Sequence, residues 1–339
     1  MGSGMNDLTV VHDKQRLKEL QALPLERKIL ITQTRIIEWY TKWKGQVYVS
    51  FSGGKDSTVL LHIARQCFPD IEAVFVNTGL EYPEIQKFAK SFENVTVLRP
   101  EMRFDEVITH YGYPIISKSV ANCIRLAKNG SPFRLKRMRG EVMLNNGKKS
   151  WFNTEKYAPI MSCDFEVSEL CCDVMKKKPT NAFEKQTGKK PIIATMAQES
   201  LSREKNWLAF GCNAFDSTRP KSAPMSFWTE QDVLEYIIRY NLPIAPVYGE
   251  VIMADSSCKL CTTGCDRTGC IFCAFGAHLH GDDRFIRLKV THPRQYEYCI
   301  GGGEHDENGV WMPNKKGLGM GHVFDELNKI YGENFIRYK

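Results

Sequence analysis

Residues 52 to 57 read Ser52-Gly53-Gly54-Lys55-Asp56-Ser57, between the apolar run Val47-Tyr48-Val49-Ser50-Phe51 and the segment Thr58-Val59-Leu60-Leu61-His62-Ile63-Ala64. Paired glycines let a backbone approach an anion closely, and a following helix offers unpaired N–H groups and the positive end of its dipole. Lys55 adds a mobile cation, Ser50, Ser52 and Ser57 add hydroxyls, and Asp56 can orient a metal or the loop itself. Phosphate is the anion this chemistry suits. The loop differs from the Walker pattern, which places four residues between its glycines.

The second concentration of chemistry is sulfur. Five of the twelve cysteines fall between Cys258 and Cys273, and Cys171 and Cys172 are adjacent. Such spacings suit thiolate ligands better than disulfides and imply a reducing cytoplasm. Four soft thiolates fit an iron–sulfur cubane, but zinc accepts four cysteines in short pairs as readily, so both remain open from the residues alone.

These groups must be held by regular elements. The glycine loop sits where a strand turns into a helix, and Ala73-Val74-Phe75-Val76-Asn77, then Gly79, Pro83 and a helix-like stretch to Phe92, repeat the unit. Alternation with crossover-length spacing predicts an α/β fold, a doubly wound parallel sheet covered by helices on both faces. Val95-Thr96-Val97-Leu98 and Ile192-Ile193-Ala194-Thr195 supply further strands. The expected organisation is a helical region over 1–44, a nucleotide-binding domain over 45–248 with a charged insertion at about 118–190, and a smaller cysteine-rich region over 249–339. Asn145-Asn146-Gly147 marks a turn inside the insertion. Trp228 and Tyr236 read as core.

Composition bounds the rest. With 339 residues, 42% hydrophobic, the chain can bury a sizeable core. No apolar run approaches the roughly 18 residues of a membrane span, which reads as a soluble, cytoplasmic protein. Met1-Gly2-Ser3-Gly4-Met5 has the look of an expression scar. The net charge of +7 fits an anionic partner without demanding nucleic acid. Arg125, Lys128, Arg134, Lys136, Arg137 and Arg139 crowd one stretch and Lys176 to Lys178 another; a solvated basic face and a polyanion-docking surface are the two readings.

The hexapeptide matches the PP-loop pattern, and with it the sequence resembles the phosphoadenylylsulfate reductase family from about Gln46 to Tyr248. Val76 to Pro83, Tyr111-Gly112-Tyr113-Pro114, Ala197-Gln198-Glu199-Ser200 with Arg203, and Pro224 through Val233 to Tyr248 follow in the family's order. The resemblance implies a Rossmann-like PP-loop fold binding ATP or adenylated sulfate with Mg²⁺. Asn77, Thr78 and Gly79 then lie near the nucleotide, Glu199, Ser200 and Arg203 shape its substrate side, and Lys55, Asp56 and Arg203 serve catalysis. A helix-start cap with a surface arginine is the plain alternative for that last trio.

Cluster-bearing adenylylsulfate reductases use a Cys-Cys pair and a distant CxxC. The resemblance therefore implies a 4Fe-4S cluster on Cys172, Cys265, Cys270 and Cys273, with Cys171 as a substitute for one of them and zinc as the alternative metal. Cys258 and Cys261 read as an additional or exchangeable pair, and Cys67, Cys123 and Cys212 as buried structural thiols. The stretch from Cys270 to Pro293 resembles the C-terminal part of family members found in prophages and DNA phosphorothioation systems; His278 and His280 within it read as ordinary polar packing.

One departure decides the expected reaction. Sulfonucleotide reductases carry a cysteine nucleophile near the C-terminus in a motif like Glu-Cys-Gly-Leu-His, whereas here the last cysteine is Cys299 in Tyr296-Glu297-Tyr298-Cys299. ATP-dependent adenylation with sulfur transfer is thus favoured, the acceptor a nucleic acid among others and the donor a cysteine desulfurase or thiol protein. Sulfonucleotide reduction and a non-catalytic nucleotide- or nucleic-acid-binding role are the alternatives. The family also suggests a homodimer.

Overall fold

Val47–Val49, before Ser50, and Ala73–Val76 are short apolar runs, the pattern of strands covered on both faces. Each leads through a turn into a helix, Lys55–Cys67 and Pro83–Lys90, so the next strand returns in the same direction. In the computed structural model, which describes residues 12–254 and 259–339, six strands form one sheet in the order Val95–Leu98, Ala73–Val76, Val47–Ser50, Lys190–Ile192, Lys221–Ser222 and Asn213–Ala214. The first five are parallel and the last is antiparallel. This is the expected α/β class. Met1 to Met5 and Cys258 lie outside the described residues.

The strand order positions the site. From Val47–Ser50 the chain winds outward through the strands at 73 and 95, then resumes on the other side with Lys190–Ile192. The carboxyl ends of these two central strands flank a topological switch point, where doubly wound sheets leave a crevice for ligand. The glycine loop follows one of them and the segment Glu199 to Arg203 follows the other.

The chain forms two compact units that interleave in sequence, whereas the sequence reading divided it at residues 44 and 248. Among the described residues the first comprises 12–77, 81–98, 180–254 and 259–268; the second comprises 78–80, 99–179 and 269–339. In the first, the helix Leu25–Lys42 buries Ile29, Thr32, Ile36 and Trp39, one face at three- and four-residue spacing. Trp228 and Tyr236 are fully buried there, as expected; the Trp228 indole N–H donates to Thr32 Oγ1 at 2.9 Å. The buried Lys28 ammonium meets the Asp232 carboxylate at 2.7 Å, which repays part of the cost of removing both charges from water.

In the second unit the insertion is mostly helical, with Lys118–Lys128 capped by Ser117, then Pro132–Arg139 and Lys178–Thr187, the last continuing past residue 179 into the first unit. The Asn145-Asn146-Gly147 turn is present: Met143 and Lys149 bridge in antiparallel fashion and Gly147 has φ of +74°. Part of the basic stretch is spent internally. Arg125 pairs with Glu169 at 2.6 Å, Lys128 with Glu166 at 3.0 Å, and the buried Arg137 donates from Nε to the Phe152 carbonyl at 2.8 Å.

Candidate functional site

In the first unit the glycine loop is shaped by its own residues. Gly53 has φ of +71°, and a Cβ there would meet Ile85 Cγ2 at 3.0 Å and Ala89 Cβ at 3.2 Å, so only glycine fits without displacement. The Ser57 hydroxyl donates to the Gly54 carbonyl and accepts from the Ser52 N–H, while Ser52 Oγ stands 3.0 Å from it. The expected serines thus brace the turn. Ser50 is the last residue of its strand, in register with Val74.

Lys55 is buried, and its ammonium is held 2.7 Å from the Asp266 carbonyl and 3.1 Å from the Glu230 carboxylate. The Lys55 N–H donates to the Tyr248 hydroxyl, which stands 2.6 Å from Thr268 Oγ1. Burial raises the pKa of Tyr248 to about 12, so its proton stays on. Asp56 is different. Burial pushes its carboxyl above the usual range, against the pull of Lys55 3.9 Å away, and its Oδ1 has no hydrogen-bond partner among the described residues. An orphaned buried carboxylate oxygen costs about 1–3 kcal/mol, a cost that a bound cation or donor would offset.

Arg203 opens the helix Leu201–Phe210, whose N-cap is Ser200. The Arg203 guanidinium pairs with Glu199, and Arg267 stands 3.7 Å from the same carboxylate. Burial lowers the Arg203 pKa, Arg267 lowers it further, and Asp56 opposes them. Lys55, Arg203 and Arg267 therefore form a cationic group interleaved with Asp56, Glu199 and Glu230, and the Ser200 hydroxyl serves as a helix cap. Glu230, Tyr248, Arg267 and Thr268 were not assigned roles from sequence; Arg267 and Thr268 lie inside a stretch that reads first as metal-binding. Asn77, whose N–H donates to the Leu98 carbonyl, belongs to this unit. Thr78 and Gly79 belong to the other, where Thr78 Oγ1 accepts from the Leu80 N–H.

In the second unit, backbone pairing assembles the thiols. Tyr113 bridges Val167 in parallel, and Ile115–Ile116 pairs in parallel with Ala274–Phe275. The segment 113–116 therefore has Cys171 and Cys172 a few residues beyond one neighbour, Cys273 immediately before the other, and Lys118 just past its own end. Gly112, with φ of +104°, makes the approach achievable, since a Cβ there would lie 2.6 Å from the Val167 nitrogen. Ile116 holds φ of +63°, a strained conformation for a β-branched residue, fixed by the Gly276 N–H donating to its carbonyl.

Cys171, Cys172, Cys273 and Lys118 act on one another, and Cys270 acts on Cys171. The Cys171 thiol donates to Cys172, which lowers the Cys172 pKa against the effect of burial, and Lys118 lowers it further. Cys171 is pushed up by that hydrogen bond, by burial and by Cys172, Cys273 and Cys270. Burial works against the Lys118 charge, yet Cys172, Cys171 and Cys273 hold it above the ordinary range. Cys265, expected in this set, belongs to the first unit, where it acts on Tyr248. Cys171, the substitute ligand expected from the resemblance, lies with Cys172 just beyond the pairing of Tyr113 with Val167. None of the eleven described cysteines forms a disulfide. Soft sulfur donors with Lys118 beside three of them suit the chemistry of an iron–sulfur cubane, although among the described residues no three sulfurs lie within 4.8 Å of one another as ligands of a single ion would. His278 packs between Tyr157 and Phe335, the polar packing expected.

The phosphoadenosine phosphosulfate reductase domain matches residues 46–130 and 134–275. The chain belongs to that family. It is 26% identical over 238 residues to an uncharacterized protein of Methanocaldococcus jannaschii, covering 69% of this chain but only 37% of that protein's length. It is 23% identical over 236 residues to an adenosine 5'-phosphosulfate reductase of Bacillus cereus, covering 67% of this chain and 78% of the relative. A phosphoadenylyl-sulfate reductase structure from Candida auris aligns over 69% of this chain and 90% of that one with a TM-score of 0.38 and 14% identity. Among the described residues no helix is long and apolar enough to cross a membrane.

Proposed function

We propose that this chain is a cytoplasmic enzyme that binds ATP at the Ser52–Ser57 loop, activates an acceptor by adenylation, and delivers sulfur to it. The loop amides and Lys55, with Arg203 and Arg267, neutralise phosphate charge, and the orphaned Asp56 oxygen takes the Mg²⁺ that accompanies ATP. An acceptor oxygen attacks the α-phosphorus and pyrophosphate leaves. A sulfur nucleophile then replaces the adenylated oxygen and AMP leaves. A nucleic acid is an acceptor compatible with the basic stretch, and a cysteine desulfurase or thiol protein is the donor class this scheme requires.

Cys171, Cys172, Cys270 and Cys273 are the proposed ligands of a 4Fe-4S cluster, with Lys118 offsetting its negative charge. When bound, such a cluster supplies redox chemistry or a sulfur-binding site.

The observation that carries this choice over sulfonucleotide reduction is Cys299. It is fully buried, its thiol faces the Met320 sulfur at 3.6 Å, and burial holds its pKa high, so it is unsuited to attack a substrate sulfur. Reduction remains the second reading, favoured by the B. cereus relatives. Anaerobically purified protein given ATP is expected to release pyrophosphate, and given adenylated sulfate to yield no sulfite; sulfite formation without pyrophosphate release would reverse the assignment.

A further inference from the structure

The second unit carries a set of metal-binding groups that the proposed reaction does not use. Asp164, His305 and His322 come from three separate segments, yet His305 Nε2 stands 2.8 Å from Asp164 Oδ2, and His322 Nε2 stands 2.9 and 3.0 Å from the two carboxylate oxygens. One ligand atom from each lies within 4.8 Å of the others.

Trp311 fixes all three. Its N–H donates to the Asp164 carbonyl at 2.5 Å, its strand partner is His305, and its indole N–H donates to the Gly319 carbonyl at 2.9 Å. Gly319 is the N-cap of the helix Met320–Tyr331, which carries His322 in its first turn. The Trp311 ring also packs on both imidazoles, with centroids 4.3 Å from His322 and 5.1 Å from His305. The donors are thus aimed before any ion arrives.

We infer that Asp164, His305 and His322 bind one divalent transition-metal ion, with zinc the best match. Two imidazoles with one carboxylate favour such ions over Mg²⁺ or Ca²⁺, whose preference is oxygen. Metal–ligand bonds of about 2.0–2.2 Å place tetrahedral ligand atoms roughly 3.3–3.5 Å apart, so separations of 2.8–3.0 Å need only a small opening. On binding, the ion displaces the proton that each Nε2 shares with Asp164, so Nε2 presents its lone pair and the ring proton sits on Nδ1. The His305 side chain is 47% exposed, and His322 also lines a cavity of about 640 Å³ with Asp325, Glu326 and Lys329. The fourth coordination position is therefore open to water or a small ligand. The ion would clasp the segment at residue 164, the hairpin of strands 304–305 and 311–312, and the helix at 320.

Cobalt(II) titration of the whole chain distinguishes this site from the thiols, because nitrogen and oxygen ligation gives visible d–d bands without the near-ultraviolet thiolate-to-cobalt band. One equivalent with the nitrogen–oxygen signature is expected, persisting in Cys270→Ser. His322→Ala and Asp164→Asn should each weaken it at least tenfold and abolish the metal-dependent rise in Tm. His305→Ala, at an exposed position on the hairpin, gives the same reading should His322→Ala fail to fold. Cobalt bound only with thiolate character, or a nitrogen–oxygen signal unchanged in all three variants, would overturn the inference. Neither result bears on nucleotide binding, so this site and the proposed reaction fail separately.

Discussion

At Ser52 to Ser57 the groups that meet a ligand are neighbours in sequence, and the loop's own serines and Gly53 fix its turn. At Cys171, Cys172, Cys270 and Cys273 the groups come from two separate chain segments of the second unit, 99–179 and 269–339, and the pairing of 113–116 with both segments brings them toward one another. The first site is a property of a strand–turn–helix step; the second is a property of tertiary assembly. Damage to packing should therefore reach the thiols sooner than the loop, and damage to a single ligand should stay within its own unit.

The sharpest separation is expected from the ligands themselves. Cys270→Ser should reduce iron from about four per chain to nearly none while nucleotide affinity changes by less than about twofold. Cys265→Ser should retain the iron and Cys171→Ser should lose it, and iron analysis of these two variants tests whether Cys171 stands in for Cys265. Iron lost in Cys265→Ser and kept in Cys171→Ser would restore the set expected from sequence.

Breaking the first unit's core should cost stability next in size. Lys28→Ala leaves Asp232 buried without its cation, a loss of about 3–5 kcal/mol read by denaturant unfolding. Gly112→Ala acts on the second unit. Its Cβ would collide with the backbone of Glu166 and Val167 in a left-handed conformation, costing about 2–4 kcal/mol, and iron retention should fall although no ligand has changed. Retained iron in a folded Gly112→Ala protein would show that the thiols do not depend on this pairing.

The contrast also explains what was legible in the sequence. Val47 to Ala64 encodes strand, loop and helix contiguously, so the fold class and phosphate-loop position could be read from spacing. The resemblance implies Cys265 as a ligand beside Cys270, but chain proximity does not report which unit a residue joins, and Cys265 belongs to the first unit while Cys270 belongs to the second. Arg267 and Glu230 gave no signal, since their relation to Lys55 and Glu199 is set by packing across long separations. Asp164, His305 and His322 were invisible for the same reason: no short spacing joins them, and Trp311 reads as an unremarkable aromatic until its three contacts are seen. Cys299 needed the structure to be recognised as inaccessible.

The most direct test of the nucleotide loop is calorimetric titration of ATP with Mg²⁺ into the intact protein beside Lys55→Ala. One site per chain is expected, weakened about ten- to hundredfold in the variant, as removal of a charge-assisted contact of about 1.5–3 kcal/mol requires. Absence of measurable affinity for ATP, AMP or adenylated sulfate, or equal affinity in the two proteins, would contradict the assignment of Ser52 to Ser57 as a phosphate-binding loop in which Lys55 meets the ligand.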